Sequence, residues 1–217
     1  MLSAVIVWHS DIRKRQEAVP MKKWIVLMIG IWGSLLLCGC GVKSTDVNET
    51  TVIVNKNGKV TDAIVEGFDA EYYDASELQS MIDEELAEYG KLSGSKNNAV
   101  LSEFTVSKGT ARVLIEFATP ADYASFNGVS FFYGTISDAY DAGYDLDVTL
   151  KSSTGKDTIG KTELMEMGKN HMIIVSEPIR IQAYGKILYS TANVDMIDEK
   201  TARISSESEG LAYMILK

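Results

Sequence analysis

Two cysteines stand one residue apart, at Cys38 and Cys40, and they are the only thiols in the 217-residue chain. Thiols can form disulfides, bind metals, act as nucleophiles or carry a lipid. Both follow an apolar run of 14 residues, Trp24 to Leu37, which the dipeptide Lys22-Lys23 precedes. A positive segment followed by about 7–15 apolar residues is the layout of a secretory signal peptide. The run is shorter than the ~20 residues of a membrane-spanning helix, so the spacing predicts export.

The end of this run, Leu37-Cys38-Gly39-Cys40, resembles the lipobox of bacterial lipoproteins, in which an aliphatic, a variable and a small residue precede a lipidated cysteine. In this register cleavage falls between Gly39 and Cys40. The resemblance implies acyl chains such as palmitate on Cys40, and two chains anchor a protein stably where one does not. It implies a location on the extracytoplasmic face of the cell membrane. An N-terminal anchor helix with two incidental cysteines is the alternative.

The resemblance divides the chain into four parts. Residues 1–20 are an upstream extension if Met21 is the true start, or else part of a long positive n-region. Residues 21–39 are the signal peptide, residues 40–50 are a polar lipidated tether, and residues 51–217 form a single domain. The architecture is similar to that of small uncharacterised cell-surface lipoproteins of Gram-positive bacteria, which implies no activity.

Few residues of the predicted domain suit catalysis near neutral pH. His171 is its single imidazole, and no G-x-S-x-G, H-E-x-x-H or C-x-x-C motif accompanies it. We therefore interpret His171 as a histidine at the edge of a strand. Two S-x-x-K strings, at 93–96 and 153–156, lie in turn-like sequence and are interpreted as surface loops. An enzyme built on this chain would have to use His171 or a buried carboxylate.

The segment SDAYDAGYDLD contains acidic and aromatic side chains that could bind a ligand. Carboxylate oxygens are the ligands that Ca²⁺ prefers, but the spacing here is not that of an EF-hand loop. A solvated acidic loop is the favoured interpretation, and no cofactor is predicted. The weak metal candidates are Asp138, Asp141, Asp145 and Asp147. Tyr140 and Tyr144 are the candidate walls of a groove for peptide or glycan, although such rings are more often core.

The charge of the predicted mature chain limits its partners. Without residues 1–39 the chain has 16 basic and 28 acidic residues, a net charge of −12. Nucleic acid and anionic headgroups would repel such a protein, so neither is a predicted partner. With one thiol it cannot form an internal disulfide, and an apolar core must stabilise the domain.

Several local patterns predict individual elements. The β-branched runs on both sides of Asn57-Gly58 predict a hairpin with a type I′ turn. Asp74 and Glu77 match a capping box and begin a helix that Gly90 ends. Its predicted apolar face consists of Leu78, Met81, Ile82, Leu86 and Tyr89. Thr119-Pro120 predicts a second, brief helix that ends at Asn127.

The remaining apolar runs are short, rich in β-branched and aromatic residues, and separated by turn-forming residues. Together they predict an α+β domain, a mainly antiparallel sheet with one or two short helices, after a cleaved signal peptide. The predicted function is a membrane-anchored binding or adaptor module of unknown ligand, with an envelope protein, peptide or glycan as partner. A cell-envelope hydrolase is the alternative.

Overall fold

The structure is a computed structural model, and it describes residues 43–206 and 210–217. The predicted extension and signal peptide, including Gly39, and the predicted lipidation site Cys40 lie outside these residues. Within the described ranges, no helix combines the length and the apolar character that crossing a membrane requires.

Thirteen strands and four α-helices make up the described chain, after a 3-10 helix at Ser44–Asp46. The helices are α1 (Ala75–Leu92), α2 (Pro120–Asn127), α3 (Ile136–Asp141) and α4 (Lys161–Glu166). The strands are β1 (Thr51–Val54), β2 (Val60–Gly67), β3 (Ala99–Ser107), β4 (Thr110–Phe117), β5 (Phe131–Thr135), β6 (Leu150–Ser152), β7 (Thr158–Ile159), β8 (His171–Val175), β9 (Arg180–Ala183), β10 (Ile187–Ser190), β11 (Val194–Met196), β12 (Thr201–Ile204) and β13 (Ala212–Leu216).

The strands form two sheets. One has seven strands in the order β11-β12-β9-β1-β2-β4-β3, and the other has six in the order β5-β8-β13-β10-β6-β7. The pairing is antiparallel except between β1 and β9, which run parallel. The predicted α+β class is therefore confirmed. The expectation of one sheet with one or two helices is wrong, because the described residues form two sheets and four helices.

The first hairpin is confirmed, but its turn differs from the prediction. The Gly58 amide donates to the Asn55 carbonyl at 3.0 Å, and Asn55 and Lys59 close the loop at 2.9 Å. Only Gly58, at φ 84°, adopts a positive φ in this loop. The connection is thus a three-residue loop that ends in a left-handed glycine, which is a common alternative to the two-residue turn. A two-residue turn with positive φ at both positions occurs instead at Lys108-Gly109, between β3 and β4.

Helix α1 begins as predicted but ends later. One carboxylate oxygen of Asp74 accepts hydrogen bonds from the amides of Ser76 and Glu77, at 2.7 and 3.1 Å. Gly90 does not end the helix, which continues to Leu92. A Cβ on Gly90 would lie 3.3 Å from the Lys96 Cα, so the glycine allows the following loop to approach the helix closely.

Helix α2 is confirmed with its predicted bounds and its Thr119 cap. Helices α3 and α4, six residues each, were missed, and α3 occupies part of the predicted acidic loop. Helices this short are marginal in isolation and depend on tertiary packing. Six residues are also too few to show the apolar periodicity from which a helix is predicted. Buried residues of both helices, among them Ile136 and Leu164, join the core against the six-stranded sheet.

Candidate functional site

The predicted catalytic candidate, His171, is the first residue of β8 and lies in a group of aromatic rings. Its imidazole stacks on the Tyr133 ring, with centroids 5.1 Å apart and planes within 6° of parallel. The Tyr184 hydroxyl lies 3.0 Å from His171 Nδ1, within hydrogen-bond distance. We call these three residues the His171 cluster. The partner of Nδ1 is thus a phenol. In hydrolytic catalysis the imidazole would instead be oriented by a carboxylate or would activate a serine.

The His171 cluster joins the two sheets. Tyr133 and His171 belong to β5 and β8 of the six-stranded sheet, whereas Tyr184 follows β9 of the seven-stranded sheet. The Tyr133 hydroxyl donates to the Lys56 carbonyl, at 3.0 Å, in the β1–β2 turn. Burial and the neighbouring Tyr184 raise the pKa of the Tyr133 hydroxyl, so this phenol is a poor general acid or base near neutrality. The His171 cluster is therefore a partly exposed contact between the two sheets.

A second group of titratable side chains lies in the interior. Asp62 of β2, Tyr123 of α2 and Glu177, which follows β8, are 1%, 0% and 5% exposed. The Tyr123 hydroxyl donates to Glu177 Oε1 at 2.5 Å. Within the described residues Asp62 Oδ1 has no hydrogen-bond partner. We call these three residues the buried acid cluster.

The surroundings of the buried acid cluster favour the neutral forms of Asp62 and Tyr123. Burial raises the pKa of the Asp62 carboxyl well above its usual range, and the negative charge of Glu177 raises it further. Burial and the two carboxyls also raise the pKa of Tyr123. Asp62 therefore retains its proton at a pH where an exposed aspartate is charged. A substrate in solution cannot reach these groups directly, so the cluster fits a structural role better than a catalytic one.

Sequence reasoning anticipated a buried carboxylate but did not locate it. One signal for Asp62 was available, because side chains two apart in a strand share a face. Val60 and Asp62 are therefore on the same face of β2, and the first is fully buried. Glu177 carried no such signal, since it follows its strand in the connecting segment Ser176-Glu177-Pro178.

The acidic segment is more ordered than the sequence suggests. The Asp138 carboxylate accepts hydrogen bonds from the Thr135 amide and hydroxyl, at 2.8 and 2.6 Å, and so caps α3. These bonds lower the pKa of Asp138. The Asp145 carboxylate accepts from the Asp147 amide at 2.9 Å, while Asp141 is exposed. Across 43–206 and 210–217, no group of three or more His, Cys, Asp or Glu side chains is placed to bind a metal ion.

The two tyrosines of this segment occupy different environments. Tyr140 on α3 is 56% exposed, as a ligand-binding surface would require. Tyr144 is half-buried, with its ring 5.0 Å from that of Phe132, and it packs against the core of the six-stranded sheet. Of these two tyrosines, Tyr140 is therefore the one whose ring is well exposed.

The predicted tether is attached to the domain over its described length, residues 43–50, which we call the strap. Ser44 and Val47 are buried, at 2% and 7% exposed. The Glu103 carboxylate accepts from the Ser44 amide and hydroxyl at 2.9 and 2.5 Å, and this lowers the pKa of Glu103. Arg112 donates to the carbonyls of Ser44 and Val47. Sequence reasoning missed this attachment because both partners lie about 60 residues away.

Ion pairs and hydrogen bonds hold the last residues of the strap against the seven-stranded sheet. Glu49 forms ion pairs with Arg180 of β9 and Arg203 of β12. The Thr50 hydroxyl donates to the Val65 carbonyl at 3.1 Å and accepts from its amide at 3.0 Å. The strap is therefore bonded to residues of β2, β3, β4, β9 and β12 before it enters β1.

Comparison with known proteins gave no relationship, since no family model, curated protein or solved structure matches the chain.

Proposed function

We propose that this protein is a lipoprotein anchored by Cys40 to the extracytoplasmic face of a bacterial membrane, where its α+β domain acts as a binding or adaptor module. The observation that carries the proposal is the run from Lys22-Lys23 through 14 uncharged residues to Leu37-Cys38-Gly39-Cys40. Its apolar part has the length of a signal peptide, and its last four residues place a small residue before the second cysteine. Two acyl chains on that cysteine would supply the membrane affinity.

The described residues support a binding role over hydrolysis. The imidazole of His171 is stacked on one tyrosine and bonded to another. The carboxyls of Asp62 and Glu177 are buried, so neither meets substrate directly. An envelope protein, peptide or glycan is the proposed partner, and the exposed Tyr140 is the residue proposed to contact it.

The anchor can be tested with the two neighbouring cysteines. We expect Cys40→Ala to lose membrane retention of the mature protein, because the −12 chain has little attraction of its own for anionic lipid. The matched variant Cys38→Ala should stay lipidated and membrane-bound. The measurement is membrane fractionation together with mass spectrometry of the N-terminal peptide. A mature N-terminus at any residue other than 40 would contradict the proposed anchor.

The binding role can be separated from hydrolysis in a strain that lacks the gene. We expect His171→Ala to lower the free energy of unfolding modestly, by about 1 kcal/mol for the lost hydrogen bond. The variant should still rescue the phenotype of the deletion strain when it is present at the normal protein level. Tyr184→Phe removes the same hydrogen bond but keeps the imidazole, and it should behave alike. Tyr140→Ala should impair rescue without affecting folding, as should the double variant with Tyr144→Ala if it folds. Loss of rescue by His171→Ala alone, at normal level, would favour the hydrolase.

A further inference from the structure

We propose that Asn57 is a site of spontaneous deamidation, and that the fold protects Asn127, which also precedes a glycine. The chain contains two Asn-Gly steps, Asn57-Gly58 and Asn127-Gly128. Glycine has no Cβ to shield its amide nitrogen from the preceding side chain, and asparagine is among the thermolabile residues. The inference depends neither on the proposed anchor nor on the proposed binding role.

The reaction needs water and no enzyme. The amide nitrogen of the glycine loses its proton to hydroxide and attacks Cγ of the asparagine, so that a new carbon–nitrogen bond closes a succinimide ring. The bond from Cγ to the side-chain nitrogen then breaks, and this nitrogen takes a proton from water and leaves as ammonia. Water opens the ring at either carbonyl and gives aspartate or isoaspartate. Because the attacking nitrogen must be deprotonated, the rate rises with pH.

The turn between β1 and β2 favours this attack at Asn57. Both Asn57 and Lys59 are exposed, and the Lys59 amide donates to Asn57 Oδ1 at 3.2 Å. Negative charge develops on this same oxygen when the glycine nitrogen attacks Cγ, so the Lys59 amide is placed as an oxyanion donor. Residues 55–60 include two lysines and no carboxylate, and this positive charge favours the anionic intermediate.

One hydrogen bond opposes the reaction at Asn57. The Gly58 amide donates to the Asn55 carbonyl at 3.0 Å, and this bond must open before the nitrogen can attack. Hydrogen bonds in exposed turns open locally at little cost in free energy. Gly128 has a similar bond, because its amide donates to the Ala124 carbonyl. The two sites therefore differ in the surroundings of the asparagine rather than in those of the glycine.

The side chain of Asn127 is held away from its glycine. Asn127 is the last residue of α2, and its Nδ2 donates to the Tyr123 carbonyl at 3.1 Å, toward the start of the helix. The succinimide ring closes only when the glycine nitrogen eclipses the asparagine Cβ, and a helical ψ of about −42° keeps the two apart. Attack at Asn127 therefore requires the last turn of α2 to unwind.

Deamidation would alter a turn that contacts the other sheet. The Tyr133 hydroxyl of β5 donates to the Lys56 carbonyl at 3.0 Å, and a Cβ on Gly58 would lie 3.8 Å from the Tyr133 ring. Aspartate at position 57 adds a negative charge to this turn. Isoaspartate adds the same charge and also lengthens the main chain by one carbon, so it changes the connection that Tyr133 binds.

The rates at the two sites can be compared within one molecule. The full-length protein is incubated at about pH 9, where the amide loses its proton more readily than at neutral pH. Tandem mass spectrometry of its peptides then gives the fraction converted at positions 57 and 127. We expect Asn57 to react at least about tenfold faster than Asn127 in the folded protein, because one oxyanion donor can change a rate by about 10²–10³.

Two controls separate the effect of the fold from that of the local sequence. In guanidinium chloride the chain is unfolded, and both Asn-Gly steps should react at rates within about twofold of each other. The incubation lasts until this unfolded sample has reacted at both positions. Asn57→Gln should abolish conversion at position 57 and leave the rate at Asn127 unchanged. Equal conversion of Asn57 and Asn127 in the folded protein, no conversion of Asn57, or the same ratio of rates in both samples would overturn the inference.

Discussion

Asp62→Asn is expected to stabilise the protein at alkaline pH and to make its free energy of unfolding depend less on pH. The folded-state pKa of Asp62 is raised, so the folded protein binds a proton that the unfolded chain releases near pH 4. Its contribution is therefore fully present below about pH 4 and is lost as pH rises through the folded pKa. Asparagine resembles the protonated acid at every pH. We expect a gain of about 1–3 kcal/mol at about pH 8, the range for relieving a poorly satisfied buried group, and little gain near pH 4.

The measurement is urea unfolding followed by circular dichroism between about pH 4 and about pH 9. Asp138→Asn is the control with the opposite sign, since hydrogen bonds to Thr135 lower the pKa of Asp138. The contribution of Asp138 is present above the pKa of the unfolded chain and is lost as pH falls through the folded value. A uniform loss of stability in Asp62→Asn at all pH values would show that burial of the acid imposes no cost.

Tyr123→Ala is expected to reduce the free energy of unfolding by about 3–5 kcal/mol, the range for removing a buried aromatic ring. The ring is 0% exposed. It contacts Phe117 of the seven-stranded sheet at 5.4 Å between centroids and Phe131 of the six-stranded sheet at 4.8 Å. Its removal would therefore leave a cavity where α2 meets both sheets.

Tyr123→Phe separates the ring from its hydroxyl. We expect it to cost about 1–2 kcal/mol, because only the hydrogen bond to Glu177 is removed. Combined with Asp62→Asn it should give a non-additive change, since the two side chains belong to one cluster. Tyr140→Ala, at an exposed position, should change stability by less than about 0.5 kcal/mol. Unfolding curves that overlap for Tyr123→Ala and Tyr140→Ala would refute the role given to the buried ring.

Elements that depend on neighbouring residues could be predicted from the sequence. The cap formed by Asp74 and the cap formed by Thr119 both join side chains to amides within three residues. The β1–β2 hairpin likewise needs only two apolar runs and a glycine between them. The predictions failed where the decisive contact was distant in sequence. The strand β1, for example, pairs in parallel with β9, which is about 130 residues away.

The sequence by itself determined the α+β class, most strands, the two longest helices and the acidic charge, and it predicts the signal peptide and Cys40. Only the tertiary structure decided which titratable groups meet. His171 begins β8 whereas Tyr184 follows β9, and Asp62, Tyr123 and Glu177 come from three separate parts of the chain. The strap likewise looked like a free polar tether until Glu103 and Arg112 were placed beside it. Capping and strand pairing across a short turn are local, whereas burial and pKa are set by neighbours that folding brings together.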